Sequence, residues 1–132
     1  MPEDKLTEQI IGAFYEVYNE LGSGFLESVY ANSMQIALQE RGLCVEQERP
    51  IQVWFRGRPV GDFRADLLVE GRVMVEGKAL RALEPAHEAQ LLNYLRATDV
   101  EVGLLMNFGP RAEFKRMVFS NSRKARPGNA PE

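Results

Sequence analysis

The chain has one cysteine, one histidine and no long apolar run, and each of these shortages excludes something. With Cys44 alone, neither an intramolecular disulfide nor a zinc site with several cysteine ligands can form, so packing must supply the stability. Cys44 is expected to be a small core residue rather than a nucleophile. His87 falls two residues after Pro85, in the first turn of an expected helix, and reads as a surface residue with no Ser-His-Asp arrangement around it. No apolar stretch reaches the ~18 residues that cross a membrane as a helix. The start, Met1-Pro2-Glu3-Asp4-Lys5, is charged and lacks the apolar core and small-residue cleavage site of a signal peptide, so a cytoplasmic location is expected. Internal repeats and Gly-rich phosphate loops of the P-loop or dinucleotide type are also missing.

What remains is the balance of a globular protein: 132 residues, 45% hydrophobic and 27% charged, long enough for one core but not two. A single domain is expected over residues 1–120, with a loose basic tail from 121 to 132 that has nothing to bury. The net charge of −3 conceals an asymmetry: residues 1–110 carry 10 Lys and Arg against 17 Asp and Glu, a net −7, whereas residues 111–132 carry 6 against 2, a net +4. A basic extension of that kind either tracks a phosphate backbone or keeps the chain in solution.

Leu6, Ile10, Ile11, Phe14, Val17, Tyr18 and Leu21 recur at helical spacing and stop at Gly22, which predicts an amphipathic helix over 6–21. A second helix is expected from Leu26 to Arg41, with Val29, Tyr30, Met34, Ala37 and Leu38 on its apolar stripe. The pattern then changes to strands at 44–48 and 51–55, the latter closed by the turn Arg56-Gly57-Arg58-Pro59. Val60–Glu70 and Arg72–Ala79 read as a hairpin around Gly71, which supplies the positive φ of a tight turn. A helix from Pro85 to about Ala97, with Ala89, Leu91, Leu92 and Leu95 facing inward, a short apolar strand at 102–106 and an edge strand near 114–119 complete the sequence of elements.

A hairpin centred on Gly71 sets Asp66 opposite Glu76 and Arg64 opposite Lys78. Alternation then puts Ala65, Leu67 and Val69 on the core face with Val73, Val75 and Gly77, and gathers Asp66, Glu76 and Lys78 on the other. A one-residue slip would still leave Glu76 and Lys78 on a common face. Two carboxylates facing each other across a strand pair cost some tenths of a kcal/mol, and a hard divalent cation is the natural compensation. Lys78 at the end of the row could hold an attacking water or neutralise transition-state charge. The same three residues could equally form a solvated, salt-bridged sheet face.

The run Phe63-Arg64-Ala65-Asp66-Leu67-Leu68 followed by Val73-Met74-Val75-Glu76-Gly77-Lys78-Ala79 resembles the core of the PD-(D/E)XK nuclease superfamily. Gly24-Phe25-Leu26-Glu27-Ser28-Val29-Tyr30 matches the GxxExxY signature of one compact branch of it, and Gln90-Leu91-Leu92-Asn93-Tyr94 resembles the Q-x-x-x-Y element of exonuclease-type members. The three ordered motifs lie within residues 5–110. The resemblance implies an α/β, restriction-endonuclease-like αβββαβ core with a mixed central sheet flanked by helices. It also implies Mg²⁺ or Mn²⁺ held by Asp66 and Glu76 with the Gly77 carbonyl, and Lys78 orienting water. Glu27 would complete the acidic cluster and Gln90 would border the site as part of the catalytic set, with Tyr30, Arg64 and Tyr94 towards the substrate. Ala65 stands where the family name has proline. Without the resemblance, Glu27 is an acidic residue favoured by a helix N-terminus, and Gln90 with Tyr94 an ordinary surface pair.

Three functions are compatible with this reading. The first is a metal-dependent phosphodiesterase acting on DNA or RNA. The second is a catalytically inactive nucleic-acid- or protein-binding module on the same fold, which the acidic body favours. The third is an accessory subunit, or a homodimer, whose specificity lies partly in another chain. A nuclease of this charge would recruit substrate through its tail, through a partner, or through Arg56, Arg58 and Arg64.

Overall fold

The computed structural model describes residues 2–124. Helix α1, Asp4–Leu21, buries Leu6, Ile10, Phe14 and Val17 and ends at Gly22, whose φ of 68° lies in the left-handed region. Helix α2, Glu27–Glu40, buries Tyr30, Met34, Ala37 and Leu38. The two helices are tied by Arg41, which forms an ion pair with Glu16 and a 2.9 Å hydrogen bond to Gln9. Gly12 makes room for that guanidinium, since a Cβ there would stand 2.9 Å from Arg41 Nη2.

Strands β1 (Val45–Phe55), β2 (Arg58–Val69), β3 (Val73–Lys78), β4 (Val102–Phe108) and β5 (Ala112–Val118) form one sheet in the order β1-β2-β3-β4-β5. Every junction is antiparallel except β3–β4, whose parallel pairing needs a crossover, provided by helix α3, Pro85–Arg96. The result is the expected mixed α/β architecture with both faces of the sheet covered. Leu67, Val69, Val73, Val75, Leu104 and Met106 pack against α1 and α2. Met74 and Leu105 pack on the other side with Leu91, Tyr94 and Leu95 of α3. The fully buried β4 reads as a continuous apolar run for this reason.

Five expectations change. The segments 44–48 and 51–55 are one strand, β1, which tolerates Pro50 because it lies at the sheet edge. Ala65 does not share a core with Leu67; it packs with Ile51, Met74 and Tyr94 on the α3 side. Residues two apart on an unbroken strand share a face, so β2 must turn about its own axis at Asp66. Cys44 is exposed rather than buried, and so is Ala89. Finally, Asn121–Arg123 form a 3-10 turn, and Lys124 Nζ donates 2.8 Å hydrogen bonds to the carbonyls of Thr98 and Val100. The remainder of the expected loose tail, 125–132, lies outside the described residues.

Candidate functional site

The β2–β3 ladder pairs Val69 with Val73, Leu68 with Met74 and Leu67 with Val75, the register anticipated around Gly71, and there it stops. The next rung would set Asp66 against Glu76. Instead the strands part and the two side chains fill the notch. The Asp66 N–H donates to Glu76 Oε1 at 3.3 Å, and the Gly77 N–H donates to Asp66 Oδ2 at 2.8 Å. Each carboxylate thus satisfies a backbone donor that the interrupted ladder leaves over. On the other side of β2, Glu48 is the one residue between Val45 and Val53 without a ladder partner, and its φ is 52°. Its place in the register is opposite Asp66, so both neighbours of β2 release it at the same point.

Glu76 is 4% exposed and Asp66 is half-buried. Burial pushes the Glu76 carboxyl up to about 9, and the adjacent Asp66 charge and a hydrogen bond between the two carboxyls push the same way. The Asp66 N–H and the Lys78 ammonium oppose the shift without cancelling it. Tyr94 closes the α3 side of the notch: burial, then the Glu76 and Asp66 charges, raise its phenol above the usual range. Gln90, one helical turn earlier, is exposed.

On the opposite side, Asp66 and Gly77 line a cleft with Glu27, Tyr30 and Phe108. Glu27 therefore shares the cleft, but it does not complete an acidic cluster: among the described residues, no three His, Cys, Asp or Glu side chains come together to hold an ion. Tyr30 is 1% exposed and stacks on Phe108 with ring centroids 4.3 Å apart. Its hydroxyl donates to the Gly22 carbonyl at 2.7 Å and accepts from the Phe25 N–H at 3.2 Å. Tyr30, the expected substrate contact, is thus buried and anchors the linker that leads into α2 at Glu27. Arg64 is exposed, and its guanidinium donates to the Glu48 carbonyl at 3.3 Å.

Three further residues shape the site. Asn107, buried on β4, accepts from the Leu80 N–H and donates to the Leu80 carbonyl, both at 2.9 Å, and so fixes the chain directly after Lys78. Gly109 permits this contact, because a Cβ there would lie 2.0 Å from the Leu80 carbonyl oxygen. Phe63, 43% exposed, places its ring 5.6 Å from that of Tyr94. An asparagine within an otherwise apolar strand was the one available signal for Asn107; nothing in the spacing marked Phe63.

A model of the PD-(D/E)XK nuclease superfamily matches residues 4–117. The chain belongs to this superfamily. Its nucleases generally use divalent metal ions, and the matched span contains Asp66 and the Glu76-Gly77-Lys78 run that the hairpin brings together. The crystal structure of SSO0001 is similar over 89% of this chain, with a TM-score of 0.58 and 20% identity. At that identity the likeness speaks to the restriction-endonuclease-like fold, and the present chain spans 60% of the length of that one. No curated protein matches the sequence. Among the described residues no helix is long and apolar enough to cross a membrane.

Proposed function

We propose that this PD-(D/E)XK protein is a Mg²⁺- or Mn²⁺-dependent phosphodiesterase of the GxxExxY branch that cuts DNA, or RNA, in the cytoplasm. The observation that carries the reading is the pairing of Asp66 with Glu76 in the notch where β2 leaves β3. Two carboxylates that share a proton because burial and mutual repulsion outweigh the nearby Lys78 charge are well matched to a cation. Mg²⁺ needs only one or two carboxylates and brings its own waters. Within a strand the N–H and C=O of one residue leave on the same side, so the Gly77 carbonyl is aimed at the notch that its N–H already enters. Asp66, Glu76 and Gly77 therefore fit the ion. When bound, a divalent cation supplies positive charge to a phosphate and lowers the pKa of a water.

The chain's own residues supply the rest. Lys78, close enough to Glu76 to oppose its shift, offsets negative charge developing on phosphoryl oxygens and orients water. Glu27 accepts hydrogen bonds from water on the far wall of the cleft, and Tyr30 positions it. Gln90 and Tyr94 border the approach from α3, and Arg64 offers a phosphate contact. A second copy or an accessory chain would add whatever sequence preference this small surface cannot hold.

Isothermal titration of Mn²⁺ combined with a nucleic-acid cleavage assay tests the reading. Wild type should bind the ion and cut. Asp66→Asn and Glu76→Gln should each abolish cutting, whereas Lys78→Met should retain ion binding and lose cleavage. A protein that binds no Mn²⁺ at millimolar concentration and cuts nothing would instead be the inactive binding module, which the body's net −7 over residues 1–110 favours.

A further inference from the structure

Strands β1 and β2 continue well past the point where β2 parts from β3. Their ladder runs on through Ile51 and Phe63 to Phe55 and Arg58, whereas β3 pairs with β2 only as far as Leu67. The outer part of the β1–β2 pair is therefore a two-stranded ribbon reaching roughly 25 Å beyond the notch. Such a ribbon is marginal by itself, yet it exposes apolar groups rather than hiding them: Phe55 is 54% exposed, Val60 63% and Phe63 43%. Residues 51–64 carry Arg56, Arg58 and Arg64 against Asp62, a net +2 inside a body of net −7. At the tip, the Arg56 guanidinium lies 4.8 Å above the Phe55 ring.

The ribbon's inner side leads into the site. Ile51 belongs to the core on the α3 side, and its ladder partner Phe63 meets Tyr94, which borders the Asp66 and Glu76 carboxylates. Gly61 leaves space for the Phe63 ring, whose Cε2 would stand 3.0 Å from a Cβ at that position. An exposed aromatic face beside the notch and guanidinium groups farther out form a series suited to a strand whose bases are unstacked: a base lies against Phe63 while Arg56 and Arg58 take backbone phosphates. A duplex hides its base faces, and the acidic body provides no broad basic surface for its two backbones.

We infer that the β1–β2 ribbon is a substrate arm for single-stranded nucleic acid, with Phe63 as the stacking platform at the entrance to the site. The inference deepens the nuclease reading and rests on it for the identity of what enters the notch. Its test needs no chemistry. The chain's one tryptophan, Trp54, lies on the arm, so its emission reports occupancy directly in the intact protein with EDTA present. A short oligothymidylate should quench Trp54 and bind roughly tenfold more tightly than a blunt duplex of the same length. Phe63→Leu, which keeps apolar volume but removes the ring, should weaken binding roughly tenfold, whereas Phe63→Trp should retain it. Joint replacement of Arg56 and Arg58 by Ala should weaken binding and flatten its salt dependence.

Equal affinity for duplex, or a Phe63→Leu protein that binds as wild type does, would overturn the inference. So would a protein-concentration-dependent Trp54 signal without DNA that tracks a dimer in sedimentation, which would assign the arm to a second copy. Cleavage with Mn²⁺ is measured separately. Binding in the expected pattern without cleavage supports the arm and removes the nuclease, whereas cleavage indifferent to Phe63 removes the arm alone.

Discussion

Glu76 holds its proton because burial disfavours its charge and the neighbouring Asp66 charge adds to that penalty, which the Asp66 N–H and the Lys78 ammonium offset only in part. Its carboxyl titrates near 4.5 when unfolded and at about 9 in the fold, so between those values the native state carries a proton that the unfolded chain has lost. Stability from this group is fully present below about 4.5 and falls by up to about 1.4 kcal/mol per pH unit as pH rises towards 9. The Tm of the metal-free protein should therefore fall between about pH 5 and pH 8, by this group's contribution, when followed by circular dichroism in EDTA. Glu76→Gln should flatten the fall and melt at least as high as wild type at the alkaline end. A Tm that rises with pH in wild type and is unchanged by Glu76→Gln would show that the two carboxylates do not share a proton. Tyr30, matched by a motif, is buried and spends its hydroxyl on the Gly22 carbonyl and the Phe25 N–H.

At the scale of elements, the notch depends on the segment that follows β3, and Asn107 holds it. Asn107→Ala would strand the Leu80 N–H and carbonyl in a partly buried setting, at a cost of about 1–3 kcal/mol. Urea unfolding should show the midpoint falling while the slope stays constant, and cleavage should drop with it, because Lys78 lies two residues before Leu80. An unchanged midpoint would mean that water replaces the amide. The β2–β3 hairpin was legible in sequence because alternation on both sides of Gly71 is local and specifies one register. The helices were legible because apolar residues recur at their period, and in the first of them stop at Gly22. β1 was divided in two because Arg49-Pro50 reads as a break, and only pairing with β2, a contact between distant residues, keeps it extended. The Ala65 assignment failed because alternation assumes an unbroken strand, and the turn at Asp66 comes from what β1 and β3 do around it. The bond between Asn107 and Leu80 spans 27 residues, beyond the reach of any pattern.

For the whole molecule, charge decides how nucleic acid can approach. An acidic body repels a phosphate backbone everywhere except where arginines project from it, so the number of phosphates neutralised should be small. With Arg56, Arg58 and Arg64 as the contacts, the slope of log K against log salt for a single strand should be about −2. A much steeper slope, measured by Trp54 quenching across a salt series, would assign most of the contact to the basic C-terminal segment. The placement of β1 at the sheet edge bears on a different matter. A long edge strand with exposed apolar residues is an invitation to strand-by-strand growth into aggregates. Along β1 that growth meets two interruptions: the left-handed turn at Glu48 bends the row of backbone groups, and Pro50 has no N–H to offer. The irregularity that opens a place for Asp66 thus also gives this sheet an edge on which an incoming strand cannot continue, and the protein can keep a protruding apolar ribbon without polymerising through it.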